Sequence, residues 1–376
     1  MTETAKPADA EGGKTFNLSG DFRGAIVNIE STFVGAAQVR DIEGQPPEPG
    51  EPPYKGLRYF DEADADDFLG RELLTARLVG RLSGARFLAV IGASGSGKSS
   101  VVRAGVIPAL RRGAPLADGS LPPPGSDQWL THVLTPTTHP LDALAASLLR
   151  DGQPAAAVAA LSQELAAAPA TLSTAARQTL ARAGRPHLLL VIDQFEEVFS
   201  LCRQESERRI FIDNLVAAAG SDAPVTSVIV LRADFYAQCA QYDGLRELVS
   251  QRQEYIGAMS RDELFRAIVQ PAARGDWKLQ EGLVEVMLDD VGDEPGALPL
   301  LSHALLETWT RRRGRTMTLS AYTESGGVRG AIAKTAETVF QQRLTPDQRP
   351  VARAIFLRLT ELGESGGETP DTRRRA

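Results

Sequence analysis

The chain has 376 residues, of which 41 are basic and 48 acidic, so its formal net charge is −7 and its pI is near 5.4. Charged residues make up 24% and hydrophobic residues 43%, an ordinary globular composition that excludes disorder throughout. The acidic balance disfavours a protein that coats nucleic acid, and no apolar run approaches the ~20 residues that span a bilayer. A chain of this length holds about two to three domains.

The N-terminal end and the cysteines point to a cytoplasmic protein. Residues 1–14 are polar, which predicts a disordered tail without the apolar stretch of a secretory signal. Cys202 and Cys239 lie far apart and form no Cys-x-x-Cys pattern. A disulfide between them stays open at this stage, but two free buried thiols in a reducing compartment fit better.

A loosely alternating pattern follows the tail. Its apolar residues stand between Asn, Ser, Gly and Asp, and they are Phe16, Leu18, Phe22, Ile26, Ile29 and Phe33. We assign residues 15–45 to a short β-rich module and the proline-rich residues 46–53 to a semi-rigid linker. Two interpretations of the module stay open: a hairpin folded against the rest of the protein, or a segment that pairs between chains through open strand edges.

From Tyr54 onward, strands alternate with helices. Apolar periodicity predicts a helix over 71–82, and a second helix is predicted from about 98 to 112. Predominantly apolar runs predict three buried parallel strands, at 87–91, 188–192 and 225–231. Beyond about residue 255 the pattern is nearly all helical. This succession indicates an α/β fold with a doubly wound parallel sheet, followed by a helical region.

A glycine-rich loop follows the first of these strands and fits the pattern G-x-x-x-x-G-K-[ST] at every fixed position. Its residues, with the one that continues into the next helix, are Gly92, Ala93, Ser94, Gly95, Ser96, Gly97, Lys98, Ser99 and Ser100. The glycines let backbone N–H groups converge on phosphate oxygens, Lys98 supplies charge to the β- and γ-phosphates, and Ser99 offers its hydroxyl to Mg²⁺. The following helix adds the positive end of its dipole. A chance glycine-rich turn would not explain why one of only six lysines stands at the required position.

A carboxylate ends the second strand. Asp193 follows the apolar run 188–192 and would hold Mg²⁺ through water, opposite Ser99. The alternative is a cap on the next helix. Glu196 and Glu197 stand three and four positions further on. One of them could polarise the attacking water, or the pair is simply an acidic first helical turn.

An arginine ends the third strand. Arg232 stands at the carboxyl end of the run 225–231, where an open α/β sheet forms its ligand crevice. We expect it to sense the γ-phosphate. The alternative is an ion pair with Asp234 or with a glutamate that supports the sheet.

Six motifs, in the same order along the chain, resemble those of the novel STAND NTPase family. The members of this family are signal-transduction ATPases with numerous domains. They are P-Y-K-G-L-R-Y-F (53–60), F-L-G-R-E (68–72), G-A-S-G-S-G-K-S-S-V-V-R-A-G (92–105), V-I-D-Q-F-E-E-V-F (191–199), L-R-A-D-F-Y (231–236) and P-G-A-L-P-L-L-S-H-A-L (295–305). The resemblance runs from about Pro53 to Arg375. It implies a P-loop NTPase domain with a three-layer αβα core at 54–258, an all-α helical domain at 259–317 and an incomplete winged-helix domain at 318–376.

The resemblance also implies where ATP or ADP would bind. It places Gly70 and Arg71 beside the adenine. In related switch ATPases the proline of the helical-domain motif touches the base or ribose, a role it would give to Pro299, whose alternative is a plain helix start. The spacing from Asp193 to Glu197 is similar to that of NACHT ATPases, which supports a catalytic role for Glu196 or Glu197.

The C-terminal part departs from the family pattern. A complete winged-helix domain and a large repeat region that acts as sensor are expected, but residues 319–375 resemble only the first helices of the winged helix. Either the sequence is a piece of a longer chain or the gene encodes a shortened protein. The cluster Arg311, Arg312 and Arg313 is interpreted as a solvated helix end rather than a DNA contact.

The leading hypothesis is a nucleotide-dependent switch, in which ADP holds a closed monomer and ATP permits homo-oligomerisation, with slow hydrolysis as a timer. A sensor or effector is the expected partner, and short N-terminal motifs of some STAND proteins recruit effectors by templated β-assembly. The alternative is a P-loop phosphotransferase or kinase acting on a small substrate, although no arginine-rich lid stands near the motifs. A nucleic-acid motor or loader is disfavoured by the pI and by the lack of a basic and aromatic stripe.

Overall fold

The computed structural model describes residues 32–42, 44–149, 154–220, 222–292, 296–361 and 372–373. The predicted tail at 1–14 and the predicted strands over Phe16 to Ile29 therefore lie outside the described residues. The strands are β1 (Phe33–Val34), β2 (Phe87–Gly92), β3 (Leu130–Leu134), β4 (Leu188–Ile192), β5 (Val225–Arg232), β6 (Gln253–Ile256), β7 (Lys278–Gln280), β8 (Thr316–Met317), β9 (Thr360–Glu361) and β10 (Thr372–Arg373).

The helices of the described residues account for most of the rest. They are α1 (Ala36–Ile42), α2 (Glu72–Arg81), α3 (Lys98–Ser100), α4 (Ile107–Arg112), α5 (Pro140–Leu148), α6 (Ala155–Ala167), α7 (Thr171–Ala183), α8 (Glu197–Ser200), α9 (Glu205–Gly220), α10 (Tyr236–Cys239), α11 (Asp243–Gln251), α12 (Arg261–Arg274), α13 (Leu283–Val291), α14 (Ala297–Thr310), α15 (Leu319–Ser325), α16 (Gly327–Thr338) and α17 (Gln348–Leu359). A π-helical segment, Val101–Val106, joins α3 to α4, so one helical rod follows the glycine-rich loop as predicted.

The core of the protein is a five-stranded parallel sheet with the order β3-β4-β5-β2-β6. Strand β5 lies between the strand that precedes the glycine-rich loop and the strand that precedes Asp193. Along β2 and β5 the register runs from Phe87 opposite Ser227 to Gly92 opposite Arg232. Because the strands are parallel, the loop, Asp193 and Arg232 follow strand ends at one edge of the sheet. The predicted doubly wound parallel sheet is confirmed.

Helices cover both faces of this sheet, which explains why the strands β2 and β4 are apolar along their whole length. In β4, Leu188, Leu190 and Ile192 belong to one core cluster, which α5, α7, α9 and α11 complete. The intervening Leu189 and Val191 belong to a second cluster on the opposite face, formed with α2, α4 and the π-helical segment. The alternation of the two sets along one strand defines the predicted three-layer αβα core.

A third core cluster holds the helical region that follows the sheet. It joins α12, α13, α14 and α16 and includes Tyr54, whose hydroxyl donates to the carbonyl of Ile268 at 2.8 Å. Two short strands interrupt these helices, a detail that the sequence did not predict. These strands, β7 and β8, form a three-stranded parallel sheet with β1 in the order β1-β7-β8, with Phe33 opposite Leu279. The described end of the N-terminal segment is thus bound to the helical region, and it continues as the helix α1.

The proline-rich residues 46–53 are docked on the helical region. Pro47 forms a β-bridge with Gly314, and the Glu48 N–H donates to the Gly314 carbonyl at 3.1 Å. A Cβ atom at Gly50 would lie 2.5 Å from the ring of Trp277, so glycine lets the backbone approach that ring. We call residues 46–61 the strap, because this segment runs from the helical region to the helix that follows the glycine-rich loop.

The interpretation of the arginine cluster as a solvated helix end is wrong for its middle residue. Arg312 is only 4% exposed. Its guanidinium carbon lies 3.8 Å from the ring centre of Trp309 and 4.7 Å from that of Trp277, and it donates to the carbonyl of Glu48 in the strap. Cation–π attraction and this hydrogen bond compensate its burial, and sequence spacing does not reveal either.

The structure shows the state of the two cysteines and the character of the helices. Cys202 and Cys239 are free and buried, as predicted. Within the described ranges, no helix has the length and apolar character needed to cross a membrane.

Candidate nucleotide-binding site

The glycine-rich loop connects β2 directly to α3, the strand-to-helix setting that its motif requires. Gly95 and Gly97 have φ angles of 74° and 86°, in the left-handed region that glycine adopts without strain. Lys98 begins α3 and is 8% exposed, and its Nζ donates to the carbonyl of Ala93 at 2.7 Å. Burial lowers the pKa of Lys98, and the negative charge of Glu196 opposes this shift. A cation held inside the loop in this way is available to phosphate oxygens.

The carboxylate of Asp193 faces the start of the same helix. Its Oδ1 accepts a hydrogen bond from Ser99 Oγ at 2.7 Å, and its Oδ2 accepts one from Arg103 Nε at 3.0 Å. Asp193 is 3% exposed. A hydroxyl oxygen and a carboxylate oxygen are ligands that Mg²⁺ prefers, so the donor set of Ser99 and Asp193 fits this cation.

One buried hydroxyl in the loop also fits a bound ligand. Ser96 Oγ is buried, and within the described part of the chain no atom forms a hydrogen bond with it. Buried polar side chains are nearly always hydrogen-bonded in proteins. A phosphate oxygen bound at the loop would supply the acceptor that Ser96 needs.

The two candidate glutamates differ in their position. Oε2 of Glu196 accepts from the backbone N–H of Arg232 at 3.4 Å, at the end of β5. Glu196 is 9% exposed, and burial raises the pKa of its carboxyl group. Glu197 is also buried and is the first residue of α8. The structure therefore brings Glu196 to the strand ends beside Lys98, which makes it the better placed of the two candidates for the base.

Arg232 forms the ion pair that was considered as its alternative role. Its Nε and Nη2 bind the two carboxylate oxygens of Asp234 at 3.0 and 2.6 Å, and its side chain is 40% exposed. The guanidinium also lies 5.6 Å from the ring centre of Phe235. A contact between Arg232 and a γ-phosphate stays a prediction.

A cavity of about 300 Å³ opens beside the loop, and its wall is mostly apolar. Three parts of the chain form the wall: the strap with residues up to Leu69, the loop with the start of α3, and the helices α12 and α14 of the helical region. Apolar lining of this kind, next to a phosphate loop, suits the base and ribose of a nucleotide.

The two residues predicted beside the adenine are fixed by the surrounding backbone. Gly70 has a φ of 91°, and a Cβ atom there would lie 2.5 Å from the carbonyl oxygen of Glu263. Arg71 lines the cavity, but its guanidinium donates to the Gly257 carbonyl at 2.8 Å and pairs with Glu263 at 3.4 Å. Arg71 thereby connects the residue that follows the edge strand β6 to α12. A contact of either residue with adenine stays a prediction.

The first turn of α14 closes over the glycine-rich loop. A Cβ atom at Gly95 would lie 3.1 Å from Gly296 Cα and 3.3 Å from Pro299 Cδ, and one at Gly296 would lie 3.0 Å from the Ser94 carbonyl oxygen. Pro299 lines the cavity at this point. The helical region and the phosphate loop therefore touch directly, although a contact of Pro299 with the nucleotide stays a prediction.

Arg103 is a residue of the candidate site that was not predicted from the sequence. Arg103 stands four positions after Ser99, one helical turn further on, so both side chains face the same side of the helix. That spacing was the available signal. Nothing in the sequence indicated which acidic groups Arg103 would meet.

The sheet, the loop and the pairing of Ser99 with Asp193 define a P-loop NTPase. The model of the family Novel STAND NTPase 1 matches residues 53–376, and the chain belongs to this family. The resemblance found in the sequence is thereby confirmed. No curated protein matches the chain significantly.

Several solved structures are similar to the chain. The Walker-type ATPase PABY2304 of Pyrococcus abyssi is 12% identical, with 82% of this chain and 85% of that chain covered and a TM-score of 0.45. The ORC2 protein of Aeropyrum pernix, in ADPNP-ADP complexes, is 16% identical over 79% and 72% of the two chains, with a TM-score of 0.41. Cdc6p from Pyrobaculum aerophilum is 14% identical over 69% and 63%, with a TM-score of 0.39.

Proposed function

We propose that the protein is an ATP/ADP-dependent molecular switch of the STAND type, which binds ATP and hydrolyses it slowly to control self-association and signalling. The observation that carries this proposal is the contact between α14 and the phosphate loop, where Gly296 and Pro299 lie against Gly95. One cavity is walled by both the sheet domain and the helical region. A ligand in that cavity interacts with both bodies at once.

A nucleotide shifts an equilibrium between two arrangements only if it binds them with different affinity. ADP and ATP differ by one phosphate, and that phosphate would lie at Lys98, Ser99 and the neighbouring loop. Because the first turn of α14 packs on this loop, the closed arrangement accommodates ADP and ATP differently. We expect ADP to favour the closed form, and ATP to favour an open form that associates with further copies and with a sensor or effector.

Slow hydrolysis follows from how the catalytic candidates are held. Glu196 would accept a proton from the attacking water, at the end of the strand beside Arg232. Arg232, however, forms a bidentate ion pair with Asp234, in which Nε and Nη2 donate to the two carboxylate oxygens. An arginine bound in this way does not neutralise charge on a leaving phosphate until the ion pair opens. We expect the opening of this ion pair to add to the barrier for hydrolysis, in keeping with a slow timer.

Magnesium would be held by Ser99 and Asp193, where it would neutralise charge on the phosphate oxygens. Lys98 and the backbone N–H groups of the loop would orient the phosphates, and the apolar cavity would exclude water from the base. Glu196 would remain the group that moves a proton.

Two measurements on the purified protein test the proposal. Nucleotide extracted from the protein as purified should be ADP, at close to one equivalent per chain. Phosphate release from ATP should be slow and should not depend on an added small acceptor. A protein without bound nucleotide whose turnover rises strongly with a small hydroxyl- or amine-bearing acceptor would instead be a phosphotransferase, and the switch would be excluded.

A further inference from the structure

We propose that Arg103 is a positioning residue that couples magnesium binding at Asp193 to docking of the strap over the nucleotide cavity. This inference rests on the proposed nucleotide-dependent function. It assigns to Arg103 a role in the affinity of the site for Mg²⁺.

On one side, Arg103 is the counter-ion of the metal-binding carboxylate. Its Nε donates to Asp193 Oδ2 at 3.0 Å, while Ser99 occupies Oδ1. The Asp193 side chain is 5% exposed and that of Arg103 is 18% exposed, so solvent screens this ion pair weakly.

On the other side, the same guanidinium contacts the strap. Its Nη1 lies 3.6 Å from Asp61 Oδ1, and its central carbon lies 5.2 Å from the ring centre of Tyr59. Between these two residues, the Phe60 N–H donates to Ser100 Oγ at 3.2 Å. Tyr59 and Phe60 line the nucleotide cavity. The guanidinium of Arg103 therefore connects the proposed metal site to the wall of the cavity.

Two carboxylates thus share one arginine, and Mg²⁺ disturbs that sharing. A divalent cation at Asp193 repels the guanidinium and weakens its bond to Oδ2. The arginine then turns more fully towards Asp61 and Tyr59, so the strap is held more firmly when the metal is bound. Because coupling free energies are reciprocal, a docked strap must also favour Mg²⁺ binding by the same factor.

Because Asp193 and Asp61 share Arg103, removal of Arg103 and removal of the Asp61 charge should change the Mg²⁺ affinity in opposite directions. Arg103→Gln removes a positive charge beside the metal and should tighten Mg²⁺ binding by about ten-fold. Asp61→Asn leaves Arg103 wholly to Asp193 and should weaken Mg²⁺ binding by about three-fold, a smaller effect because the Asp61 side chain is 48% exposed. In the double variant, the effect of Asp61→Asn should disappear.

The variant at Asp61 has a matched control on the same turn. Asp61 caps the short helix that follows it, and asparagine caps as well as aspartate, so local structure is preserved. Glu62→Gln removes an equal charge one position away, from a residue that pairs with Arg111 instead of Arg103. We expect it to leave Mg²⁺ binding unchanged.

The experiment measures ADP affinity calorimetrically over a series of MgCl₂ concentrations, using the full chain and the four variants. Limited trypsin digestion at Arg58 in the strap supplies a second readout. Mg²⁺ with ADP should protect this site in the wild type and no longer do so in Arg103→Gln.

Two results would overturn the coupling. One is weaker Mg²⁺ binding in Arg103→Gln, which would make Arg103 a simple support for Asp193. The other is an Asp61→Asn effect that persists in the double variant. If Arg103→Gln does not fold, equal Mg²⁺ binding in Asp61→Asn and Glu62→Gln refutes the proposal, and weaker binding in Asp61→Asn alone supports it. Failure of every protein to bind ADP would refute the proposed function itself.

Discussion

The hydroxyl of Ser99 donates a hydrogen bond of 2.7 Å to Asp193, a residue 94 positions further along the chain. The bond joins the first turn after the phosphate loop to the residue that follows β4. These elements meet because β2, β5 and β4 are neighbouring parallel strands, so that their carboxyl ends lie side by side. The order of the strands therefore brings together the two residues that we propose as Mg²⁺ ligands.

Replacing Lys98 by alanine should abolish nucleotide binding, because the loop loses the ammonium group that faces the β- and γ-phosphates. A ligand at ~100-fold over its dissociation constant stabilises a fold by about 2.7 kcal/mol. ADP should accordingly raise the melting temperature of the wild type by several degrees and leave Lys98→Ala unshifted. Lys334→Ala is the control, since Lys334 donates to the Glu324 carbonyl in the helical region. An equal shift in Lys98→Ala and wild type would refute the site.

Replacing Glu196 by glutamine should separate binding from turnover. The variant keeps Lys98 and Ser99, so ADP and ATP affinity should stay within a few-fold of the wild type, while phosphate release falls by about 10²- to 10⁴-fold, the usual contribution of a positioned base. Glu197→Gln is the comparison, with hydrolysis closer to wild type. If both variants hydrolyse ATP normally, the acidic pair is only the start of α8.

The pH dependence of hydrolysis should also identify Glu196. Burial raises the pKa of its carboxyl group, and only the ionised form accepts a proton from water. As the pH falls through this raised pKa, the base becomes protonated and the rate declines, at a higher pH than for an ordinary glutamate. Glu196→Gln should lack this acidic limb. A wild-type profile that stays flat down to the ordinary range of glutamate would contradict the assignment.

The contact between α14 and the loop should control ADP release. Gly296→Ala adds a Cβ atom 3.0 Å from the Ser94 carbonyl at a residue with φ of 87°, so the helical region must shift away from the loop. We expect ADP to dissociate at least several-fold faster, measured by displacement of a fluorescent ADP. Gly282→Ala is a matched control, because Gly282 also precedes a helix with a φ of 83° but has no atom of the described residues within 4 Å of its Cβ position. Equal effects of both changes would mean that backbone strain, not the contact, is responsible.

Deleting residues 1–45 should lower the melting temperature of the monomer. The deletion removes β1, which pairs with β7, and Phe33, which packs against the core of the helical region. If the N-terminal module serves only in signalling, the shortened protein would keep its stability and nucleotide binding, and a peptide of residues 15–35 would form fibres that bind thioflavin. A soluble, unstructured peptide together with a destabilised deletion variant would refute the signalling interpretation.

The central strands could be predicted from the sequence because each is buried on both faces. The apolar run 188–192 coincides with β4, and the run 225–231 differs from β5 by one residue. The strands β3 and β6 were missed because they lie at the sheet edges, where half-exposed polar residues such as His132 and Glu254 break the apolar run. The strands β7 and β8 are too short to show a periodic pattern of apolar residues in the sequence.

The site was predictable where its chemistry is local and not where it depends on tertiary packing. The loop from Gly92 to Ser99 is one contiguous motif, so its position between strand and helix followed from the sequence. The contacts of Arg103 with Asp193 and Asp61 join three separate segments. The burial of Arg312 depends in the same way on Trp277 and the strap, which are distant in the chain, and no spacing rule connects them with Arg312.

The mass of the protein in two nucleotide states tests the central claim most directly. Light scattering during gel filtration should give a monomer with ADP and Mg²⁺, and a discrete larger assembly with a non-hydrolysable ATP analogue and Mg²⁺. Lys98→Ala should have the same mass in both conditions, because it binds neither nucleotide. A wild-type protein whose mass is the same with ADP as with the ATP analogue would contradict a switch that acts through self-association.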